Sequence, residues 1–232
     1  MTGSDSTPGV TVVIPCHDEE ASVGAVVTGC RAALAGEPHE VLVVDDGSSD
    51  GTGAAAAQAG ARVERLDPNR GKGVALLSGA LAATGDVLVF MDGDGQDDPR
   101  DLPALLAALE PGVDMVIGSR FLGTLHPGSI HPLNRMANRA FSGLISALFR
   151  VRITDSQAGF RAMSRARFLS LGLGATEYEV ETEMLLRALR QDWAVREVPV
   201  GRHPRTGSVT DFHRARHGLR ILGTILSERL RS

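Results

Sequence analysis

Short apolar segments alternate with amphipathic ones along the first half of the chain. Runs rich in Val, Ile and Leu predict buried β-strands, at positions 10–15, 41–45, 61–66, 86–91 and 114–118. Between them, apolar residues at helical spacing predict helices, at positions 22–36, 52–60, 74–84 and 100–110. Ser22 and Thr52 are the predicted N-caps of the first two helices. Strands that alternate with helices are typical of an α/β domain with a mostly parallel central sheet flanked by helices.

The second half of the chain has a different pattern. Its predicted elements are a Gly/Pro/His loop, a long helix, a segment of unassigned type, a helix, a strand, a loop and a closing amphipathic helix, at 122–132, 133–149, 156–163, 179–191, 194–200, 203–211 and 213–230. We therefore expect a disordered N-terminal tail at 1–9, one domain at 10–212 and a basic amphipathic helix at 213–232. Within the domain, the pattern changes after position 118.

Composition narrows the class of protein. A chain of 232 residues with 43% hydrophobic and 22% charged residues can bury a core of its own. Its two cysteines, Cys16 and Cys30, are too few for a disulfide framework, so a reduced compartment is expected. The polar start does not resemble a signal peptide, and no apolar run is long enough for a membrane span. We expect a cytoplasmic protein that can still touch a membrane surface.

The charges are distributed unevenly, although the formal net charge is only -4. Residues 1–114 contain 6 Lys/Arg and 19 Asp/Glu, whereas residues 115–232 contain 18 and 9. Such a chain can hold a cation in its first half and an anionic ligand in its second half, unless the charges only decorate solvated faces. Nucleic acid is not an expected partner, because only 4% of the residues are aromatic and they form no evident pattern of alternation with the basic residues.

Acidic clusters follow three of the predicted strands. They lie at 17–19, 45–50 and 92–98, and the carboxyl ends of parallel strands share one edge of a sheet. Three acidic clusters at one edge repel each other unless a cation or hydrogen-bond donors compensate them. This recurrence favours a binding site over an ordinary solvated face.

The third cluster predicts a metal. Asp92, Asp94 and Gln96 offer oxygen ligands at alternate positions, which suit Mg²⁺ or Mn²⁺ ions that bridge substrate phosphates. A calcium-binding EF-hand is excluded, because Pro103 stands where its loop requires a glutamate. An acidic turn that caps the next helix is the alternative for Asp97 and Asp98.

Together, these motifs resemble family 2 glycosyltransferases with the GT-A fold. The supporting residues are VVIP at 12–15, HDE at 17–19, DDGSSDGT at 45–52, NRGKG at 69–73 and the pair Asp92 and Asp94. Within that family the chain looks most like the dolichyl/polyprenyl-phosphate sugar synthases, through Gln96, GSR at 118–120 and TDSQAGFR at 154–161. The resemblance covers residues 10–222 and implies an inverting, metal-dependent transfer of a hexose from a GDP-mannose- or UDP-glucose-type donor to a polyprenyl phosphate.

The resemblance also implies roles for individual residues and divides the domain into a nucleotide-sugar half at 10–118 and an acceptor half at 119–212. The donor would be bound by Pro15, His17, Glu19, Asp46, Lys72, Asp92 and Gln157. The metal, Mg²⁺ or Mn²⁺, would be held by Asp92, Asp94 and Gln96. The catalytic group would comprise Asp94, Asp155, Arg120 and Arg135, with the two arginines at the donor diphosphate or the acceptor phosphate. For Gln157 and Arg161, hydrogen bonding within a loop is an equal alternative.

The acceptor decides whether a base is needed. A sugar hydroxyl must lose a proton as it attacks, whereas a lipid phosphate is already anionic. Asp155 is the first candidate for a base, followed by Glu181 and Glu183. The helix at 213–230 has leucines, isoleucines and arginines that suit an anionic membrane, but packing on its own domain is the alternative we favour.

Three rival functions are open at this point. The same donor chemistry can serve a soluble metabolite or glycan as acceptor. A nucleotidyltransferase would carry a glycine-rich loop with a basic signature after the first strand, where this chain has Cys16, His17, Asp18 and Glu19. A non-catalytic nucleotide-sugar-binding module is disfavoured by the intact pair Asp92 and Asp94.

Overall fold

Seven strands form one central sheet in the computed structural model, which describes residues 9–205 and 214–230. In chain order they are β1 (Val10–Cys16), β2 (His39–Asp46), β3 (Arg62–Leu66), β4 (Val87–Phe90), β5 (Met115–Ser119), β6 (Arg161–Ser164) and β7 (Val195–Pro199). Across the sheet the order is β3-β2-β1-β4-β6-β5-β7. All neighbouring pairs are parallel except those of β6 with β4 and β5. The predicted α/β fold with a mostly parallel sheet is confirmed.

Helices cover both sides of this sheet. They are α1 (Glu20–Ala33), α2 (Thr52–Gln58), α3 (Lys72–Ala82), α4 (Leu102–Ala107), α5 (Pro132–Phe149), α6 (Arg165–Ser170), α7 (Val180–Arg190) and α8 (Arg214–Leu230), with a 3₁₀ turn at Pro99–Asp101. Strands from both predicted halves, 10–118 and 119–212, belong to the same sheet. The predicted tail at 1–9 lies outside the described residues, except for Gly9. In the predicted loop at 203–211, only residues 203–205 are described.

Alternating side chains of the strands build two cores. Val13, Leu42 and Phe90 face the side that is covered by α3, α5, α7 and α8. Ile14 and Val43 face the side that is covered by α1, α2 and α4. Because side chains alternate along a strand, a sheet buried on both sides needs apolar residues at nearly every position. That is why the inner strands read as continuous apolar runs.

The predicted N-caps are wrong. Helix α1 begins at Glu20, so Ser22 lies inside its first turn, and α2 begins at Thr52 after Gly51. Both hydroxyls instead connect loops. Ser22 donates to the carbonyl oxygen of Gly93 at 2.8 Å, and Thr52 accepts from the backbone N–H of Glu19 at 2.8 Å. These bonds join the segments that follow β1, β2 and β4.

Helix α8 packs against its own domain. Ile221 and Ile225 belong to the core beneath α5 and α7, and the buried Glu228 pairs with Arg190 at 2.8 Å. Leu222 and Leu226 point outward. The inner side of α8 therefore packs on its own domain, which is the alternative that we favour from the sequence. No helix among residues 9–205 and 214–230 combines the length and hydropathy of a membrane span.

Candidate active site

The polar segments that follow the strands meet at one edge of the sheet, as predicted. Residues after β1, β2, β4, β5 and β7 lie there because these strands run in the same direction, and the antiparallel β6 begins there. The edge is a crevice at the carboxyl ends of parallel strands, where open α/β sheets bind ligands.

Asp92 is held by an ammonium group. Lys72, at the start of α3, places its Nζ 2.6 Å from Asp92 Oδ1 and 2.7 Å from Glu181 Oε1. Burial is the largest influence and would raise the pKa of Asp92, but Lys72, Arg202 and Arg120 together outweigh it and keep that pKa below its usual value. The carboxylates of Asp92 and Glu181 raise the pKa of Lys72, although burial acts to lower it. Asp92 is therefore ionised and fixed in position.

Asp94 lacks such a close partner. Burial and the neighbouring Asp92 charge raise the pKa of Asp94. Its nearest cation is Arg202, whose Nη2 lies 4.0 Å from Asp94 Oδ2 and which pairs more tightly with Asp97, at 2.6 Å. An anion that is buried beside another anion gains from an added cation. Asp94 thus has the electrostatics expected of a metal ligand.

Gln96 connects three segments of the edge. Its Nε2 donates to the carbonyl oxygens of Ser129 and His203, at 3.1 and 3.0 Å, and its Oε1 accepts from Arg202 at 2.8 Å. Its Nε2 is thus engaged, whereas its Oε1 has a second lone pair that could bind a metal beside the Arg202 charge. The metal role of Gln96 stays a prediction.

The carboxylates fit a Mg²⁺ or Mn²⁺ ion in part. Asp92 and Asp94 supply the oxygen chemistry that such ions prefer. Within the described residues, no group of three His, Cys, Asp or Glu side chains could by itself hold a metal. Mg²⁺ commonly binds through one or two carboxylates together with substrate phosphates, so two protein ligands are compatible with an ion that arrives with the donor.

Glycines shape the backbone at two places in this edge. Gly71, just before α3, has φ of 90°, and a Cβ there would overlap the carbonyl oxygen of Thr176. Between the two acidic residues, a Cβ on Gly93 would overlap the sulfur of Cys16 on β1. Only glycine lets these loops approach their neighbours so closely.

Asp155 is a buried anchor for Arg120. Its side chain is 0% exposed, and its two oxygens accept from Arg120 Nε and Nη2, each at 2.7 Å, and from Asn138 Nδ2 at 2.9 Å. Burial acts to raise the pKa of Asp155, but the Arg120 guanidinium holds it below its usual value. The expectation that Asp155 acts as a base does not agree with this geometry, because both of its oxygens are occupied and shielded.

The predicted nucleotide-binding residues surround the ends of β1 and β2. Pro15 is half-buried on β1, and the His17 ring is exposed with Nδ1 3.0 Å from the carbonyl oxygen of Asp46. The Asp46 carboxylate accepts from the backbone N–H groups of Arg70 and Gly71, both at 2.8 Å, and so closes the loop before α3. Glu19 forms an ion pair with Arg205.

Comparisons with known proteins agree with this architecture. A profile described as glycosyl transferase family 2 matches residues 11–170. The chain belongs to glycosyl transferase family 2. It is therefore an enzyme that transfers a glycosyl group, and its α/β domain has the GT-A fold of its structural relatives.

Several relatives of this glycosyltransferase are informative. A low-salt glycan biosynthesis hexosyltransferase of Haloferax volcanii is 32% identical over 88% of this chain, which spans only half of that protein. A polyprenol monophosphomannose synthase of Mycolicibacterium smegmatis is 34% identical over 84% of this chain and 77% of its own length.

A solved structure extends the comparison to bound ligands. Glucosyl-3-phosphoglycerate synthase from Mycobacterium tuberculosis, in complex with Mn²⁺, UDP and phosphoglyceric acid, superposes with a TM-score of 0.77 and is 26% identical. The superposition covers 96% of this chain and 78% of that one. Another structure of the same synthase contains Mg²⁺ and UDP.

The remaining predicted residues of the glycosyltransferase differ in exposure. Arg135, in the first turn of α5, is exposed and makes no ion pair within the described residues. Gln157 donates to Thr182 at 2.8 Å, and the fully buried Arg161 donates to the carbonyl oxygens of Ser156, Ala158 and Glu181. Burial lowers the pKa of Arg161 to about 10. For Arg161, the loop-bonding alternative describes the observed contacts.

Sequence reasoning missed Arg202, and it considered Glu181 only as a candidate base ranked after Asp155. Arg202 follows the end of β7, which runs parallel to β5, so the strand-end argument that selected Asp92 also applies to Arg202. Glu181 lies at the start of α7, and its pairing with Lys72 spans more than a hundred residues. No local pattern in the sequence indicates such a contact.

Proposed function

We propose that this glycosyltransferase moves a hexose from a nucleotide diphosphate sugar to a polyprenyl or dolichyl phosphate. The donor is of the GDP-mannose or UDP-glucose type, and the reaction inverts the anomeric centre and depends on Mg²⁺ or Mn²⁺. The similarity to polyprenol monophosphomannose synthase supports the lipid acceptor. The enzyme would work in the cytoplasm, at the cytoplasmic face of a membrane.

On the donor side, Pro15, His17, Glu19 and Asp46 would contact the base and ribose. Asp92 would meet the ribose or the metal in the orientation that Lys72 imposes, and Gln157 would face the sugar. Together, Asp92 and Asp94 would hold the metal, with the second lone pair of Gln96 Oε1 completing the shell. When bound, the ion neutralises the negative charge that develops on the departing diphosphate.

The observation that carries the choice of acceptor is the state of three candidate bases. Asp155 is occupied by Arg120 and Asn138, and Glu181 is held by Lys72. Glu183 accepts from the backbone N–H groups of Gly174 and Ala175 and pairs with Arg187. A phosphate acceptor needs none of them, because it arrives as an anion.

In this proposal, an oxygen of the acceptor phosphate forms a bond to the anomeric carbon from the face opposite the leaving group. The bond between that carbon and the diphosphate oxygen breaks, and the diphosphate leaves with the electron pair. Arg120 and Arg135 would bind the phosphates through their guanidinium groups. Asp155 would act as a positioning residue, because it fixes the plane of the Arg120 guanidinium.

A soluble phosphorylated acceptor is the second candidate. It is supported by the solved synthase that contains phosphoglyceric acid, whose fold covers nearly this whole chain. Both candidates share an anionic phosphate, so arginines near the site suit either. They differ in whether the acceptor carries a lipid chain and in the attacking atom, because phosphoglyceric acid can also accept a sugar on its hydroxyl, which must lose a proton.

A two-stage assay tests the proposal. First, GDP- and UDP-sugars are screened with and without Mn²⁺ for release of the nucleotide diphosphate. The active donor is then offered polyprenyl phosphate in detergent and, separately, phosphoglyceric acid and other phosphorylated metabolites. We expect metal-dependent transfer to polyprenyl phosphate. Transfer only to a water-soluble acceptor would refute the lipid assignment and support the second candidate.

A further inference from the structure

Helix α5 buries polar residues and exposes an apolar side. Its buried side contains Asn138 and Ser142 beside Ile145. Its exposed side is an apolar strip that we name the α5 outer stripe: Leu133, Met136, Ala140, Leu144 and Leu148. Surface helices of globular proteins normally turn their apolar stripe to the core. A contiguous exposed apolar surface indicates a site of interaction.

The stripe is continuous along the helix. Its members are separated by three or four positions, so they lie on one side of α5 from the first turn to the last. Leu133 is 51% exposed and Met136 is 64% exposed, the highest value among the large apolar residues of the described chain. Val151, just beyond the helix, is also exposed and extends the apolar surface.

The charges around the stripe identify its occupant. Arg135, Arg139, Arg150 and Arg152 are exposed in the same segment, and no acidic residue occurs between Asp114 and Asp155. An apolar strip beside unopposed arginines matches an anionic bilayer, where the apolar side chains enter the headgroup boundary and the arginines meet lipid phosphates. A two-fold contact between copies of this chain would instead bring arginine-rich segments toward each other.

The inner side of the same helix and the loop before it contact residues that support the candidate active site. Asn138 donates to Asp155, which fixes Arg120, and Ser129, in the loop before α5, accepts from Gln96. A bilayer against the outer stripe would therefore lie next to the segments that hold the acidic pair and Arg120. We propose that α5 docks the enzyme on an anionic membrane and presents the site to acceptors in the headgroup layer.

This inference rests on the proposed function for its purpose, but the docking itself can be measured separately. Full-length enzyme is sedimented with vesicles of phosphatidylcholine alone and of phosphatidylcholine with phosphatidylglycerol. We expect binding only to the anionic vesicles, with affinity that falls as salt rises. The double variant Leu133→Ser/Met136→Ser should bind about tenfold more weakly, which is about 1.4 kcal/mol. Arg139→Gln should weaken binding by roughly fivefold.

Two matched variants act as controls. Leu81→Ser removes a leucine that is 59% exposed on α3, and it should leave vesicle binding unchanged. Leu226→Ser removes one that is 55% exposed on α8, and it tests the other amphipathic helix. Deleting α8 would not be a clean test, because Ile221 and Ile225 belong to the core. Thermal unfolding and nucleotide binding, unchanged in every variant, would establish that the fold is intact.

Several results would overturn the docking proposal. They are wild-type enzyme that ignores anionic vesicles, equal binding by the double variant, and loss of binding in Leu226→Ser alone. A wild-type dimer that the double variant converts into monomers, without vesicle binding, would assign the stripe to a second copy. Failure of the proposed function would look different: vesicle binding would persist while polyprenyl phosphate in detergent accepts no sugar.

Discussion

At the scale of single residues, the candidate site is a set of buried charges of which some are balanced and one is not. Asp92 has Lys72, Asp97 has Arg202, and Asp155 has Arg120. Asp94 accepts a hydrogen bond from the backbone N–H of Gln96 at 3.0 Å, but the Arg202 cation is 4.0 Å away, and burial and the neighbouring Asp92 charge raise the pKa of Asp94. In the proposed function, a divalent cation that enters with the donor would neutralise Asp94, and the solved synthase that this chain resembles contains Mn²⁺ and UDP.

Asp94→Asn is expected to abolish turnover and to leave the fold intact. The substitution removes the anionic oxygen that we assign to the metal, and loss of one well-placed transition-state contact costs about 3–4 kcal/mol. Because burial disfavours the ionised form of Asp94, the neutral amide should not lower the free energy of unfolding. Release of nucleotide diphosphate and thermal unfolding are the two measurements.

Glu110→Gln, at an exposed position that pairs with Arg196, is the control carboxylate for this experiment and should retain full activity. EDTA should reproduce the Asp94→Asn defect in the wild type, and Mn²⁺ or Mg²⁺ should restore activity. Full turnover in the presence of chelator would refute the metal assignment.

Asp155→Asn should destabilise the fold by up to about 3 kcal/mol at neutral pH, because it leaves the Arg120 guanidinium without its buried partner. The folded-state pKa of Asp155 lies below its usual value of 3.8. Its ionised form therefore stabilises the fold above that value, and the contribution disappears as the pH falls through the lower, folded-state pKa. The measurement is the free energy of unfolding of both proteins from about pH 7 to about pH 3.

The stability gap between wild type and Asp155→Asn should narrow toward the acid end. A constant gap would mean that the ionised pair with Arg120 does not stabilise the fold. The pH profile of kcat distinguishes a positioning residue from a base. Asp155→Asn should lower kcat and leave the shape of this profile unchanged, whereas loss of a base would make kcat rise with hydroxide concentration.

Residues at strand ends could be predicted from the sequence, whereas their partners could not. Asp92, Asp94 and Arg120 directly follow apolar runs, so their placement at one edge follows from the fold class. The roles of Glu181 and Asn138 depend on tertiary contacts with Lys72 and Asp155, which no periodic pattern encodes. The sequence makes Asp155 the first candidate for a base, because its burial depends on tertiary packing and no local pattern indicates it.

At the scale of elements, the inner strands were predicted well because both of their faces are buried. The sequence does not predict the type of the short β6, since this strand has four residues and begins with Arg161, a side chain that is atypical of a buried strand. Helix α5 was predicted within one residue of its observed start, but its outward side could not be predicted. Its Asn138 and Ser142 are buried because Asp155 and Ser156 supply hydrogen-bond partners beneath them.

Two adjacent residues of α8 test how this helix is held. Ile225 is 1% exposed within the core, whereas Leu226 faces outward. Ile225→Ala should lower the free energy of unfolding by about 2–4 kcal/mol, because it removes buried methyl groups and leaves a cavity. Leu226→Ala should change it by no more than about 0.5 kcal/mol. Chemical denaturation measures both, and equal effects would contradict the packing of α8 on α7.

At the scale of the whole molecule, the uneven charge distribution acquires a spatial meaning. The acidic clusters of the first half and the arginines of the second half reach the same edge of the sheet, where Arg120 and Arg202 approach the acidic loop after β4. Neither half builds the site alone, since β6 from the second half pairs with β4 from the first. The fold thus brings acidic and basic groups to one crevice.

Because the site combines residues from both halves, occupying it should stabilise the entire domain. A ligand that binds only the folded state adds about 2.7 kcal/mol when its concentration is 100 times its Kd. We expect GDP or UDP to raise Tm in the presence of Mn²⁺ and to have little effect in EDTA, since Asp92 and Asp94 repel a bare diphosphate. The nucleotide with the larger shift identifies the donor base. Asp94→Asn should lose the Mn²⁺-dependent part, whereas Leu81→Ser should keep it. An equal rise in Tm with and without Mn²⁺ would show that the diphosphate is neutralised by arginines alone.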